Sequence, residues 1–228
     1  MAKKRPNIDT LIISDIHLGF RFSRAADVLK VLKGYNFEHL ILNGDIFEDL
    51  NFNRLHSEHW EVLSYLRHLS KSKEVVWIVG NHDGRSETLS HLLGINFCNK
   101  YVWWSNGRKF LAIHGHQFDR FVSKNLIISS LADFLYILLK RLENKNQVIS
   151  QWIRHHNRSW LRMSKDVARR AIHYARLRRV DCIFCGHTHQ AYHLKSKKVE
   201  YYNSGCWTEY PANFITIKDG KIKLREVA

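Results

Sequence analysis

Five short apolar runs in this chain each break off into a loop that carries Asp, Asn or His, and no other feature limits the fold as much. "DTLIISDIHLG" reads as a buried strand over Thr10–Ser14, followed by Asp15 and His17. "HLILNGDIFEDL" is a second strand that stops at Gly44, with Asp45 next. "EVVWIVGNHDG" leads to Asn81 and His82, "KFLAIHGHQFD" stops at His114, and "VDCIFCGHTHQ" stops at Gly186 before His187 and His189. Between the first three, "RAADVLKVLKGY" and "LHSEHWEVLSYLRHLSKS" have helical spacing, with Ser23 predicted to cap the first helix. Strands that are apolar throughout and alternate with helices indicate a sheet covered on both faces. In such folds, ligands bind beyond the carboxyl ends of the strands. Further strand-like pieces follow in "VEYYNSG", "NFITIKDG" and "KIKLREV", the last two joined by the hairpin signal Asp219-Gly220. A chain of 228 residues with this pattern is expected to form one α/β domain over 1–228.

One polar strand end is chance, and one histidine there is usually structural. Five strand ends that together supply Asp15, His17, Asp45, Asn81, His82, His114, His187 and His189 are not. The set is rich in imidazole and carboxylate and has no thiolate. It suits Mn²⁺ above all, with Fe²⁺, Co²⁺ or Zn²⁺ as alternatives. Cys182 and Cys185 form a C-x-x-C, but strand residues three apart point to opposite faces, so they are expected to pack in the core. Seven ligands from these eight residues are too many for one tetrahedral ion and suit two ions that share a carboxylate. Two ions about 3.5–4 Å apart form the clamp used for in-line phosphoryl displacement.

The motif order "SDIHLG", "NGDIFED", "VGNHDG", "IHGHQFD", "CGHTHQ" resembles the calcineurin-like metallophosphoesterase superfamily, over residues 14–190. The resemblance implies a four-layer αββα sandwich, two packed mixed sheets flanked by helices. It also implies that Asp15, His17 and His189 hold one ion, that Asn81, His114 and His187 hold the other, and that Asp45 bridges them. His82 takes the position proposed to protonate the leaving group or hold the phosphate, with Asp83 orienting it. Glu48 and Asp49 are expected around the ligands, not among them. Together with "YYNSGCWTEYPANFITIKDGK", the motifs look most like the bacterial UDP-2,3-diacylglucosamine diphosphatase group and its relatives. The best-known branch of that group has Arg at the position of His82 and Asp at that of His116.

Charge locates the rest of the function. The chain carries a net +15, and residues 118–179 hold fourteen Lys/Arg against four Asp/Glu, a local net of +10. This segment is expected to be a helical insertion. Ile127, Leu131, Phe134, Leu135 and Leu138 fall on one helical face. The later stretch interleaves Trp152, Trp160 and Met163 with Arg154, Arg158, Arg162, Lys165, Arg169 and Arg170. Read as a lid, it meets acyl chain with one side and anionic lipid with the other, each basic residue near such a membrane being worth roughly 1 kcal/mol. Arg154, Arg158, Trp160 and His116 are the candidate substrate contacts. Read plainly, it is an amphipathic hairpin with a solvated basic face. No signal peptide or membrane-length apolar run is seen, so a cytoplasmic protein is expected, peripheral on the inner membrane surface.

The expected partner is thus an anionic phosphoester, lipid-linked and cleaved at its pyrophosphate. The alternative is a phosphodiesterase or nuclease, since aromatic-interleaved arginines and a pI near 9.8 also suit nucleic acid. A non-catalytic module on the same scaffold is disfavoured by the complete ligand set.

Overall fold

The computed structural model describes residues 5–84, 87–119 and 158–227. In chain order the elements are β1 (Thr10–Ile13), α1 (Ala25–Gly34), β2 (His39–Asn43), α2 (Ser57–Leu69), β3 (Glu74–Ile78), α3 (Glu87–Leu93), β4 (Asn96–Cys98), β5 (Tyr101–Ser105), β6 (Arg108–Ala112), α4 (Arg158–Leu177), β7 (Cys182–Cys185), β8 (Tyr192–Ser196), β9 (Val199–Asn203), β10 (Ala212–Lys218) and β11 (Lys221–Val227). One sheet has the order β11-β10-β1-β2-β3-β4 and the other β5-β6-β7-β9-β8. β1 to β4 run parallel, as do β6, β7 and β9, while β10, β11, β5 and β8 join antiparallel.

Alternation along the strands builds the layers. Leu11 and Ile13 of β1 pack with Val28 and Leu32 of α1 and Val62 and Leu66 of α2, whereas Ile12 faces the other sheet. Phe110, Cys182 and Phe184 meet Ile12, Ile41, Val76 and Ile215 between the sheets. On the far side, Leu111, Ile183 and Cys185 pack with Ala168, Ala171, Ile172 and Ala175 of α4. The result is the expected helix–sheet–sheet–helix sandwich. Cys182 and Cys185 fall into two different cores, as their spacing requires.

Some expectations need correction. Ser23 does not cap α1: the cap position is Arg24, without a side-chain bond, and Ser23 Oγ donates to the Ile16 carbonyl at 2.7 Å instead. That bond ties down the loop after β1. The hairpin at Asp219-Gly220 forms as read, with φ of 49° and 71°. A second hairpin, β5–β6, turns through Asn106-Gly107 with φ of 48° and 73°. Asn-Gly is a strong hairpin signal that the sequence reading passed over. The apolar face Ile127–Leu138 and residues Trp152 and Arg154 lie outside the described residues. Among the described residues no helix is long and apolar enough to cross a membrane.

His59 of α2 supports the loop after β1. It is buried, and its Nδ1 accepts from the Gly19 and His56 amides at 3.3 and 3.2 Å. An Nδ1 that accepts carries no proton, so the neutral ring is the native form. Burial, helped by His56, holds its pKa below the ordinary 6.5. The unfolded chain therefore binds the extra proton, and stability falls as pH drops below 6.5. Denaturant midpoints taken from about pH 7.5 to about pH 5 are expected to fall, and the part of that slope owed to His59 to vanish in His59→Gln.

Candidate metal centre

The loops after the strands are knitted to one another before any side chain is considered. The Asp15 amide donates to Gly44 O at 2.9 Å, that of His17 to Asp45 O at 3.0 Å, and that of Leu18 to Ile46 O at 2.8 Å. Asp83 completes the frame. Its Oδ2 accepts from the Asp45 amide, the Gly80 amide and Trp77 Nε1 at 2.9, 2.8 and 3.1 Å, and its Oδ1 from the Ile46 and Phe47 amides at 2.7 and 3.2 Å. Burial and the neighbouring Asp45 raise its pKa, against the pull of those donors. This corrects the role expected for Asp83. It does not orient His82, whose Nδ1 donates to the Glu48 carbonyl at 3.0 Å. A carboxylate already committed to five N–H groups holds the loop of Asp45 instead.

Five of the ligand-type residues adopt left-handed backbone: Asp15, His17, Asp45, His187 and His189, with φ between 53° and 66°. Such conformations cost of order 1 kcal/mol or more each and persist only where surrounding structure enforces them. Glycines press against the same groups. A Cβ on Gly44 would lie 2.2 Å from His114 Nδ1, one on Gly80 2.1 Å from Asp45 Oδ1, and one on Gly186 2.2 Å from Asp15 Oδ2.

The imidazoles are oriented by their outer nitrogens. His17 Nδ1 donates to Glu48 Oε2 at 2.8 Å, His114 Nδ1 to the Asn43 carbonyl at 2.8 Å, and His187 Nε2 to Asp119 Oδ2 at 3.1 Å. Each of these bonds engages the outer nitrogen and turns the other one inward, and those inner nitrogens converge. His17 Nε2 lies 3.2 Å from His189 Nε2, which is 3.3 Å from Asp15 Oδ1. His114 Nε2 is 3.1 Å from Asp45 Oδ2, and His17 Nε2 is 4.0 Å from the same oxygen. His187 Nδ1 is 3.0 Å from Asn81 Oδ1. Asp15, His17 and His189 thus offer donor atoms all within 4.8 Å of one another, and so do Asp45, His114 and His187. This donor set, imidazole nitrogens and carboxylates aimed at shared points in a buried site, fits two borderline divalent cations.

Electrostatics agree with the geometry. Burial opposes charge on Asp15, His17, Asp45 and His114, but the groups answer one another. Despite burial, Asp45 is held well below the usual carboxylate range by His114 and His17, and Asp15 is lowered by His189 and His114. His17 is raised by Glu48 and Asp45, and His114 by Asp45 to about 10. In the metal-free protein, protons on these rings balance the buried carboxylates, a task that divalent cations take over. His116, 5.5 Å from His114 ring to ring, is pushed down to about 4 by burial and by the charges on His114 and His187, so it is neutral.

Of the remaining candidates, His82 is exposed beside the cluster, 5.0 Å from His17 between ring centroids. Glu48 holds His17 from outside, while Asp49 pairs with Arg54. Arg158 begins α4 and Trp160 is partly buried in its first turn. Of the basic residues that follow on this helix, Arg162, Lys165, Arg169 and Arg176 face solvent, and Arg170 is half-buried. Three neighbours were missed from sequence: Asp119, and the pair Cys206 and Glu209, whose donor atoms lie within 4.8 Å of His189. Only Asp119 had a signal, a carboxylate closing the quoted "HGHQFD".

Comparison with known proteins comes to the same architecture. A family model described as calcineurin-like phosphoesterase matches residues 8–191. No curated protein matches the chain. An archaeal phosphodiesterase structure is similar at 16% identity, with a TM-score of 0.53, over 96% of this chain and 98% of that one. A Vps29 single mutant from Entamoeba histolytica is similar at 16% identity and TM-score 0.50, over 96% and 97%. Vps29 from Chaetomium thermophilum is similar at 10% identity and TM-score 0.50, over 96% of each chain. At these identities the likeness is one of fold.

Proposed function

The chain belongs to the calcineurin-like phosphoesterase family and is a metal-dependent phosphoesterase, and from that premise we propose that it works with two divalent ions, Mn²⁺ first among them. Asp15, His17 and His189 hold one ion, Asn81, His114 and His187 the other, and Asp45 lies between. The observation that carries this reading is the orientation of His17, His114 and His187, each of which gives its outer nitrogen to a hydrogen-bonding oxygen and turns the other into the cluster. Two ions in such a site supply Lewis acidity to a phosphoryl group and lower the pKa of water. His82 keeps its Nδ1–H on the Glu48 carbonyl, so in the imidazolium form its second N–H, at Nε2, would hold a phosphoryl oxygen or pass its proton to the leaving group. Asp83, and the loop bonds it makes, keep Asp45 in register with His82, whose amide donates to Asp45 Oδ1 at 2.8 Å.

For the substrate, we favour the pyrophosphate of a lipid-linked nucleotide sugar such as UDP-2,3-diacylglucosamine. The motif resemblance supports it, as does the solvent-facing basic side of α4, which suits an anionic membrane surface. One domain over 1–228 with a helical insertion at about 118–179 is part of this proposal. A phosphodiesterase acting on nucleic acid or small nucleotides is the second reading, favoured by the same basic face and the pI near 9.8. The archaeal phosphodiesterase of like fold is in keeping with it.

A hydrolysis panel with Mn²⁺ decides between them: UDP-2,3-diacylglucosamine, bis-p-nitrophenyl phosphate, cyclic nucleotides, and single-stranded DNA and RNA. Preference for the acylated nucleotide sugar is expected, and preference for single strands with steep salt dependence gives the second reading its place. No metal-dependent hydrolysis of any of them would remove the reading altogether. His82→Ala is expected to lower turnover about 10²–10⁴-fold on the preferred substrate. Its metal content should stay that of the parent, and a parallel loss of metal would make His82 a ligand.

A further inference from the structure

We propose that Asp119 is the positioning residue of His187, and that α4 keeps Asp119 in place through Arg170. This rests on the dinuclear reading above. Asp119 is buried, only 5% exposed, at the end of the short turn His116–Phe118 that follows His114. Its Oδ2 takes the Nε2 proton of His187 at 3.1 Å, while Nδ1 of the same ring faces Asn81 Oδ1 at 3.0 Å. The two ring nitrogens therefore have separate duties. Asp119 sits behind the imidazole, outside the group formed by Asp45, His114 and His187. A carboxylate behind a ligating imidazole fixes the tautomer, locks the ring's rotation and raises the basicity of the coordinating nitrogen.

The turn is held from within and from α4. Its amides bond within the turn, Phe118 to Gly115 O at 2.9 Å and Asp119 to His116 O at 3.0 Å. From outside, Arg170 Nη1 donates to the Phe118 carbonyl at 2.7 Å, and the Phe118 ring packs 5.6 Å from that of Tyr174. Arg170 and Tyr174 lie one turn apart on α4, whose inner face is anchored in the core by Ala171 and Ala175. A path of direct contacts thus runs from α4 through Phe118 and Asp119 to His187. The helix at the end of the basic segment is in this way part of the support of one of the two metal positions.

The test uses the full chain with Mn²⁺ alone. Metal content, the Mn²⁺-induced shift in melting temperature and the electron paramagnetic resonance spectrum are read on the parent, Asp119→Ala, Asp119→Asn and Arg170→Ala. Asp119→Ala is expected to bind the second ion about 10–100-fold more weakly. Its spectrum should change from that of a coupled pair to that of isolated Mn²⁺. Asp119→Asn still offers an oxygen to Nε2–H and should stay close to the parent. Arg170→Ala should weaken the second ion by a smaller factor and add nothing in the Asp119→Ala background, since both act on one path. An Asp119→Ala protein with two ions, parental affinity and a coupled spectrum overturns the proposal, as does additivity of the two substitutions. If the parent itself fails to bind two ions, the dinuclear reading falls, and that outcome is seen before any variant is compared.

Discussion

Asp45→Asn is expected to reduce hydrolysis on the order of 10³-fold or more, equivalent to about 4 kcal/mol, and to leave less than one ion per chain. The Asn keeps the volume of the Asp and can still accept from the His82 amide, so the loop keeps its bond. What disappears is the charge. Asp45 is 1% exposed and its Oδ2 lies 3.1 Å from His114 Nε2 and 4.0 Å from His17 Nε2, so both halves of the cluster lean on it. Metal analysis after gel filtration, beside turnover with excess Mn²⁺, reads the two effects separately. Retention of both ions with full turnover would remove Asp45 from the centre of the site.

Gly80→Ala is expected to be nearly as damaging although the residue bears no chemistry. A Cβ there would stand 2.1 Å from Asp45 Oδ1 and 2.2 Å from the Asp45 amide nitrogen, and neither can yield without moving the loop. Overpacking of this kind costs about 1–3 kcal/mol. The displaced atoms are those that Asp83 and His82 hold, so metal binding should fall together with the denaturant midpoint. Gly34→Ala is the control, since nothing lies within 4 Å of its added methyl and it ends α1. That variant should be neutral or slightly stabilised. Equal behaviour of the two variants would mean that the glycine contact does not constrain the site.

The sequence made the framework legible because apolar runs and loop punctuation are local signals. Strands β1, β2, β3, β6 and β7 stand where those runs predict, and their loops gather the eight polar residues named from their ends. The edge strands β5 and β8 of the second sheet were harder. They alternate between half-buried and exposed residues on sheet edges, so neither reads as a buried strand: β8 has little apolar content, and β5 turns Val102 and Trp104 outward, although Asn106-Gly107 announced it. The partners behind the ligands were legible only in part. Glu48 follows Asp45 in the chain and, expected around the ligands, bonds to Nδ1 of His17. Asp119 meets His187 across 68 residues and through a turn with no propensity of its own, and nothing local reports such a contact. Asp83 shows the opposite failure. Its place beside His82 invited a local pairing, but its five donors come mostly from another loop. The left-handed backbone at Asp15, His17, Asp45, His187 and His189 was beyond sequence as well, since any of these residues also adopts ordinary conformations.

The two sheets meet the cluster from opposite sides. Asp15, His17, Asp45 and Asn81 follow strands of the first, and His114, His187 and His189 follow strands of the second. Ions bound as proposed would each take ligands from both, so they would act as rivets through the mouth of the sandwich. His17 and His189 are 172 residues apart in the chain, and a fixed link between such distant points removes roughly 5 kcal/mol of freedom from the unfolded chain. Opening the sandwich would first require releasing the metal, so the lifetime of the folded protein would follow the free metal concentration. Chelation would then be a route to proteolysis: a cell short of the ion would lose the molecule itself, and its activity with it.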